Sequence, residues 1–209
     1  MSAAPKLRLI LADDHPVVRD GLAAIINQQQ DMEVVAEAEN GADAVTLYER
    51  HQPDVLVLDL RMPRMDGVAV VEELIGKHSN ARILIMTTHD GDEDIFRCLS
   101  QGAMGYLLKD AGRQEILSAI RMIGDGHQYT SSSVAVKALQ RIGKPTLTQR
   151  EIDVLQQLAQ GRSNKDIARR LTITEGTAKT HVKAILTKLD AMSRTEAVAI
   201  AHKRGLIHL

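Results

Sequence analysis

Five short apolar runs rich in branched residues recur along the first part of the chain: Leu7 to Leu11, Met32 to Ala36, Val55 to Leu58, Arg82 to Met86 and Gly105 to Leu108. Between them the apolar residues take a helical period. Val17, Val18, Gly21, Leu22, Ile25 and Ile26 follow Pro16 at three- and four-residue spacing, and similar faces recur at Ala44, Val45, Leu47 and Tyr48, and at Val70, Val71 and Leu74. Strands alternating with helices predict an α/β fold whose mostly parallel sheet is covered on both faces. In such sheets ligands lie beyond the carboxyl ends of the strands, so the residues following each run are the ones to inspect.

Asp13 and Asp14 follow the first run, Asp59 closes the third, Thr87 and Thr88 follow the fourth and Lys109 follows the fifth. Singly, each reads as a solvated strand end. Together, carboxylates, a hydroxyl and an ammonium on one rim form a site for a hard cation plus an anionic group, because carboxylate oxygens suit Mg2+ and lysine suits phosphate. A carboxylate can attack phosphorus when cations neutralise the phosphoryl oxygens. Asp59, central in the sheet order, is the nucleophile candidate, and the Asp13–Asp14 pair is better placed to hold the metal.

Over about residues 5 to 125 these residues resemble the receiver domain of bacterial two-component response regulators. The resemblance is carried by Asp13–Asp14, Asp59 followed by Met62–Pro63 and Asp66–Gly67, Thr87, and Tyr106 with Lys109. It implies a doubly wound, flavodoxin-like parallel sheet of five strands. It also implies that Asp59 accepts phosphate from a sensor histidine kinase, that Asp13, Asp14, Asp59 and the backbone carbonyl of Arg61 ligate Mg2+, and that Lys109 contacts the phosphoryl group. Thr87 and Tyr106 would move together as the switch: the hydroxyl gains a strong acceptor once phosphate is present, vacating space the ring can enter. A dinucleotide-binding reading fails because Ala12 to Val17 places carboxylates where a pyrophosphate would lie. A phosphatase would want a second acid two residues after the nucleophile, where Arg61 stands, so turnover as an enzyme is not expected.

Charge divides the chain. The total of −1 conceals 12 basic and 21 acidic residues up to Gly126, against 14 basic and 6 acidic beyond it. One cysteine permits no internal disulfide and no thiolate cluster, no secretory pattern opens the chain, and no apolar run nears membrane-spanning length. The expected compartment is the bacterial cytoplasm, with association to the nucleoid when DNA is bound. Four aromatic residues are too few for base-stacking platforms. Cys98 and the eight methionines read as packing residues, and the eight histidines show no paired ligand spacing.

Gly124, Gly126, Ser131 to Ser133, Gly143 and Pro145 punctuate a connector with one short helix predicted from Val134 to Arg141. The division is therefore residues 1–126, a linker over 127–145, and 146–209. The last part reads as four helices. Thr148 with Glu151 forms a capping box, Ile152, Leu155 and Leu158 make a stripe ended by Gly161, and Ser163 with Asp166 opens a second helix. A third runs to Leu189 and a fourth follows Ser193. Short helices joined by a tight turn and followed by a longer basic one give a helix-turn-helix. Projected on the third helix, Ala178, Val182, Ile185 and Leu189 form a buried stripe, with Gly176, Lys179, Lys183 and Thr187, and Thr180 beside them, opposite. Lone surface lysines are usually just solvated. Here no acidic residue occurs between Gly176 and Leu189, and Arg162, Lys165, Arg169, Arg170 and Lys188 add charge nearby, so the face suits phosphates and the major groove of double-stranded DNA.

Residues 146 to 209 resemble the LuxR-type (NarL/FixJ-like) DNA-binding domain through Leu147-Thr148-x-Arg150-Glu151, Gly161-x-Ser163-Asn164-Lys165-x-Ile167-Ala168, Thr177-x-Lys179-x-His181, Lys188-Leu189 and Arg194. Ala178 departs from the family's usual Val. The resemblance implies a recognition helix from Glu175 to Leu189 with Lys179, Thr180 and Lys183 facing the groove, and a homodimer contact from the helix after Ser193. Both halves together imply a transcription regulator whose DNA binding is switched by phosphorylation.

Overall fold

The computed structural model describes residues 5–88 and 91–207. Its elements begin β1 (Leu7–Ala12), α1 (Pro16–Asn27), β2 (Met32–Ala38), α2 (Gly41–His51), β3 (Val55–Leu58), α3 (Gly67–Lys77), β4 (Ile83–Thr87), α4 (Asp92–Ser100) and β5 (Gly105–Leu108). They continue α5 (Arg113–Gly124), β6 (Tyr129–Thr130), α6 (Ser132–Arg141), α7 (Gln149–Ala159), α8 (Asn164–Leu171), α9 (Glu175–Leu189) and α10 (Arg194–Lys203). The chain forms two compact units, Met1–Asp90 with Ile95–Val136 and Gly91–Asp94 with Lys137–Leu209.

In the first unit the strands are parallel, in the order β2-β1-β3-β4-β5-β6. Side chains alternate across a strand, and both faces are buried. Leu9, Leu11, Val55, Val57, Leu84 and Met86 turn to the face covered by Leu22 and Ile26 of α1 and by Ile116, Ile120 and Ile123 of α5. Ile10, Leu56, Leu58 and Ile85 are buried on the opposite face, and α2 packs there on β1, β2 and α3. The expected five strands become six. The added one, β6, pairs Tyr129 and Thr130 with Gly105 and Tyr106. Two residues are too few to carry a readable period, and they fall in the stretch read as linker.

The second unit contains α7 to α10 around Val154, Leu155, Leu158, Ile167, Ala178, Val182, Ile185, Leu189, Ala197 and Ala201. Each of the four helices opens on a hydroxyl cap, from Thr148, Ser163, Thr174 and Ser193 respectively. Gly161, past the end of α7, takes φ +72 and donates its N–H to the Leu158 carbonyl, as a left-handed helix end requires.

Glu151 does more than cap. Its carboxylate accepts from the Thr148 N–H at 2.7 Å and lies 2.7 Å from Lys188 Nζ, tying the start of α7 to the end of α9. Burial alone would push its carboxyl up, but the Lys188 ammonium and the Thr148 donors outweigh that and hold it below the ordinary glutamate value. A depressed carboxyl contributes stability that is present above its unfolded value of about 4.5 and is lost as pH falls through the lower folded value. Glu151→Ala should cost roughly 1–2 kcal/mol at neutral pH by removing cap and ion pair. In hydrogen exchange of the α7 and α9 amides, the gap between wild type and variant should narrow on acidification. A gap independent of pH would show that the charge contributes nothing.

Candidate functional site

β1 and β3 are neighbours in the sheet, whereas the chain leaves β1 toward β2 on the other side. That reversal of strand order opens a crevice at the carboxyl ends of β1 and β3. Asp13 and Asp59 flank it, each only 4% exposed. Backbone hydrogen bonds hold them: the Asp59 N–H donates to the Ala12 carbonyl at 2.8 Å and the Asp13 N–H to the Ala38 carbonyl at 3.1 Å. Two strands along, the Lys109 N–H donates to the Thr87 carbonyl at 2.9 Å, which brings the lysine onto the same rim.

Lys109 Nζ lies 2.7 Å from Asp13 Oδ2 and 2.7 Å from Asp59 Oδ2. Burial by itself would favour the neutral amine; the two carboxylates outweigh it and raise the lysine above its ordinary value, so it stays an ammonium. The other oxygen of Asp59, Oδ1, is buried and accepts no hydrogen bond from the described residues. One ligand atom from each of Asp13, Asp14, His15 and Asp59 falls within a 4.8 Å cluster. Thr87 and Tyr106 are fully buried, and the Tyr106 ring is already inside the protein rather than at its surface. Arg61 lies two residues past Asp59 in the loop leading to α3.

That loop is held closely. Asp66 caps α3 by accepting from the Ala69 N–H at 2.8 Å, and the Gly67 N–H donates to the Leu60 carbonyl at 2.9 Å. A Cβ on Gly67 would stand 2.5 Å from the Asp59 carbonyl oxygen and 2.8 Å from Leu60 Cα. Both are backbone atoms, so the strain cannot be relieved by a side-chain rotation. Gly67→Ala should therefore cost about 1–3 kcal/mol and displace the Asp59 segment, read as a lower thermal midpoint together with altered Asp59 amide shifts. An unshifted Asp59 amide would contradict the close approach.

On α9, Ala178, Val182, Ile185 and Leu189 are buried and Lys179, Thr180 and Lys183 are exposed, matching the projected faces. Lys179 Nζ is 3.1 Å from Glu175 Oε1, an exposed pair, and the Thr180 hydroxyl donates back to the Gly176 carbonyl at 3.1 Å. A second basic group, Arg162, Arg169 and Arg170 with Asp166 among them, lines an open depression around α8.

Two residues near the carboxylate cluster escaped the sequence reading. His15 Nδ1 lies 2.7 Å from Asp14 Oδ1 and 3.3 Å from Asp13 Oδ1; its adjacency to two aspartates was a usable signal. Arg19 is buried, and nothing in its spacing marked it, because an arginine in an amphipathic helix ordinarily reads as a solvated position.

Comparison with known proteins agrees with this geometry. The family model for the response regulator receiver domain matches residues 9–121, and that for bacterial regulatory proteins of the luxR family matches residues 145–201. The chain is 39% identical to the uncharacterized transcriptional regulatory protein YxjL of Bacillus subtilis (strain 168), covering 97% of this chain and 98% of that one. It is 38% identical to the nitrate/nitrite response regulator protein NarL of Escherichia coli (strain K12), covering 99% and 100%. Among solved structures, the response regulator ChrA of a heme-sensing two-component system is 40% identical with a TM-score of 0.58, covering 98% of this chain and all of that one. With buried Asp13 and Asp59 and half-buried Asp14 at the switch point of its sheet and a capped helix-turn-helix later in the sequence, the chain belongs to the two-component response regulators that join a receiver domain to a LuxR-type DNA-binding domain.

Proposed function

We propose that Asp59 accepts a phosphoryl group from a sensor histidine kinase and that this modification controls sequence-specific DNA binding by residues 146–209. The observation that carries the reading is the state of the Asp59 carboxylate: it is buried, one oxygen is held by Lys109, and the other accepts no hydrogen bond from the described residues. A buried carboxylate oxygen left this way carries a desolvation cost, which an electrophilic phosphorus or a cation relieves. In the transfer, an Asp59 oxygen bonds to phosphorus, the P–N bond of the donor phosphohistidine breaks, and a proton passes to the leaving imidazole. Lys109 would balance charge on the phosphoryl oxygens, and Thr87 and Tyr106 would carry the change onward.

The donor set fits Mg2+: hard carboxylate oxygens from Asp13, Asp14 and Asp59 cluster together, and one oxygen of Asp59 accepts no hydrogen bond from the described residues. Those residues and the Arg61 carbonyl would hold it, and when bound it supplies neutralisation of phosphoryl charge. Residues 1–126 serve as the receiver in this reading, 127–145 as connector, and 146–209 as the DNA reader through Lys179, Thr180 and Lys183 in the major groove. The helix after Ser193 supplies a homodimer contact. No helix among the described residues is long and apolar enough to cross a membrane; in this reading the protein would act on DNA at the nucleoid, in the cytoplasm.

The test is incubation of the full chain with a small phosphodonor and Mg2+, followed by intact mass and DNA affinity across a genomic library. A labile phosphoryl adduct and tighter binding to a discrete set of sites are expected. A chain that stays unmodified, or binds DNA equally in both forms, overturns the reading.

A further inference from the structure

We propose that Arg19 is a positioning residue for the metal-binding pair: its buried guanidinium locks the peptide between Asp13 and Asp14 so that both carboxylates address one cation. This rests on the reading of Asp13 and Asp14 as metal ligands.

Arg19 lies in the first turns of α1, and helix side chains lean toward the N-terminus, which directs it back over the loop that leaves β1. Its NH1 donates to the Asp13 carbonyl at 2.7 Å, a buried bond. Nε donates to Glu37 Oε2 at 3.1 Å, near the end of β2, and NH2 to Glu39 Oε1 at 3.2 Å, just past it. The arginine side chain is 10% exposed, whereas those of Glu37 and Glu39 are 41% and 75% exposed. Exposed carboxylates contribute little as ion pairs, and burying a guanidinium is costly, so stability is a poor reason for this arrangement. The shortest and most buried of the three contacts is the one to Asp13.

Neighbouring residues of an extended strand point to opposite faces. Asp13 and Asp14 can serve one ion only if the peptide joining them leaves strand geometry and stays there. The Asp13 N–H is already fixed to the Ala38 carbonyl at 3.1 Å; Arg19 fixes the carbonyl, so the residue is clamped at both ends of its backbone. The His15 N–H, donating to Asp13 Oδ1 at 2.9 Å, sets the carboxylate itself. Glu37 and Glu39 hold the guanidinium by its remaining edge and offset its charge, which keeps it turned to the carbonyl and off the Asp13 carboxylate.

Charge and positioning predict opposite signs, which makes the proposal decidable. Removing a nearby cation should by Coulomb's law tighten Mg2+ binding; losing the clamp should weaken it, by about tenfold or more, as outer partners of metal ligands generally do. Mg2+ is titrated calorimetrically into the full chain without phosphodonor, for wild type, Arg19→Met, Arg19→Lys and Glu39→Gln, with Asp14→Asn as the ligand control. The expected result is weaker binding by Arg19→Met, partial rescue by Arg19→Lys, and Glu39→Gln within about twofold of wild type. Phosphorylation of Arg19→Met by a small phosphodonor should recover toward the wild-type rate at saturating Mg2+, a change in KM for the metal rather than in kcat. Mg2+ affinity of Arg19→Met equal to or tighter than wild type overturns the proposal, whatever happens to its unfolding midpoint. If Arg19→Met does not fold, Arg19→Gln carries the same two outcomes. A wild type that binds no Mg2+, or an Asp14→Asn that binds it as well as wild type, removes the metal reading and the proposal with it.

Discussion

Asp59→Asn is expected to abolish the phosphoryl adduct completely while leaving the fold intact. The amide matches the carboxylate in shape, so the sheet's close packing around it is preserved, yet a carboxamide oxygen is a poor nucleophile toward phosphorus. Lys109 keeps its 2.7 Å contact to Asp13, which leaves the buried ammonium paired and limits the stability change. DNA affinity of the variant should be the same before and after treatment with phosphodonor and Mg2+. The measurement is intact mass at neutral and alkaline pH, since an acyl phosphate is labile to base. An adduct that survives in Asp59→Asn would move the acceptor to another carboxylate, with Asp13, which shares the Lys109 contact, the first alternative.

The second large effect is expected on α9. Lys179 and Lys183 are exposed, and substitutions away from the core usually change stability by less than about 0.5 kcal/mol. Lys179 now pairs with Glu175 on the surface, an interaction too weak to lose much. Lys179→Ala and Lys183→Ala should therefore leave unfolding unchanged and weaken DNA binding. If the lysine meets phosphate, affinity falls for all sequences and the slope of log K against log salt drops by about 1. If it meets a guanine edge, the loss is about 1–3 kcal/mol and confined to sites carrying that base. Binding of a selected promoter fragment across a salt series separates the two. Wild-type affinity in both variants would place the DNA surface elsewhere, and the Arg162, Arg169 and Arg170 group would be the next to substitute.

How much of this was legible beforehand differs by element, for physical reasons. The second unit was read closely because helix boundaries are local: a hydroxyl at the cap, an acid three residues on and an apolar stripe all lie within one or two turns. In α9 the hydroxyl cap Thr174 is followed three residues on by Thr177 instead of an acid, yet its end at Leu189 and its buried face, Ala178 through Leu189, still follow from neighbours along the chain. The strands were legible where four or more residues alternate or run apolar, and β6 was not because it has only Tyr129 and Thr130. The rim residues were legible because parallel sheets place function at strand ends, so the ends of β1, β3, β4 and β5 could be inspected without coordinates.

The sequence alone determined which side chains the rim carries, the opposite charge of its two parts and the buried and basic faces of α9, since these depend on period, caps and composition. Tertiary structure decided the pairings. That Lys109 meets both Asp13 and Asp59, that one oxygen of Asp59 accepts no hydrogen bond from the described residues and that the Tyr106 ring is buried all require strands distant in sequence to lie side by side, while the short contact of Arg19 to the Asp13 carbonyl depends on how α1 folds back over the end of β1. The order of parallel strands is set by crossovers and shared burial rather than by any residue's own preference, so the contacts it creates leave no periodic trace along the chain.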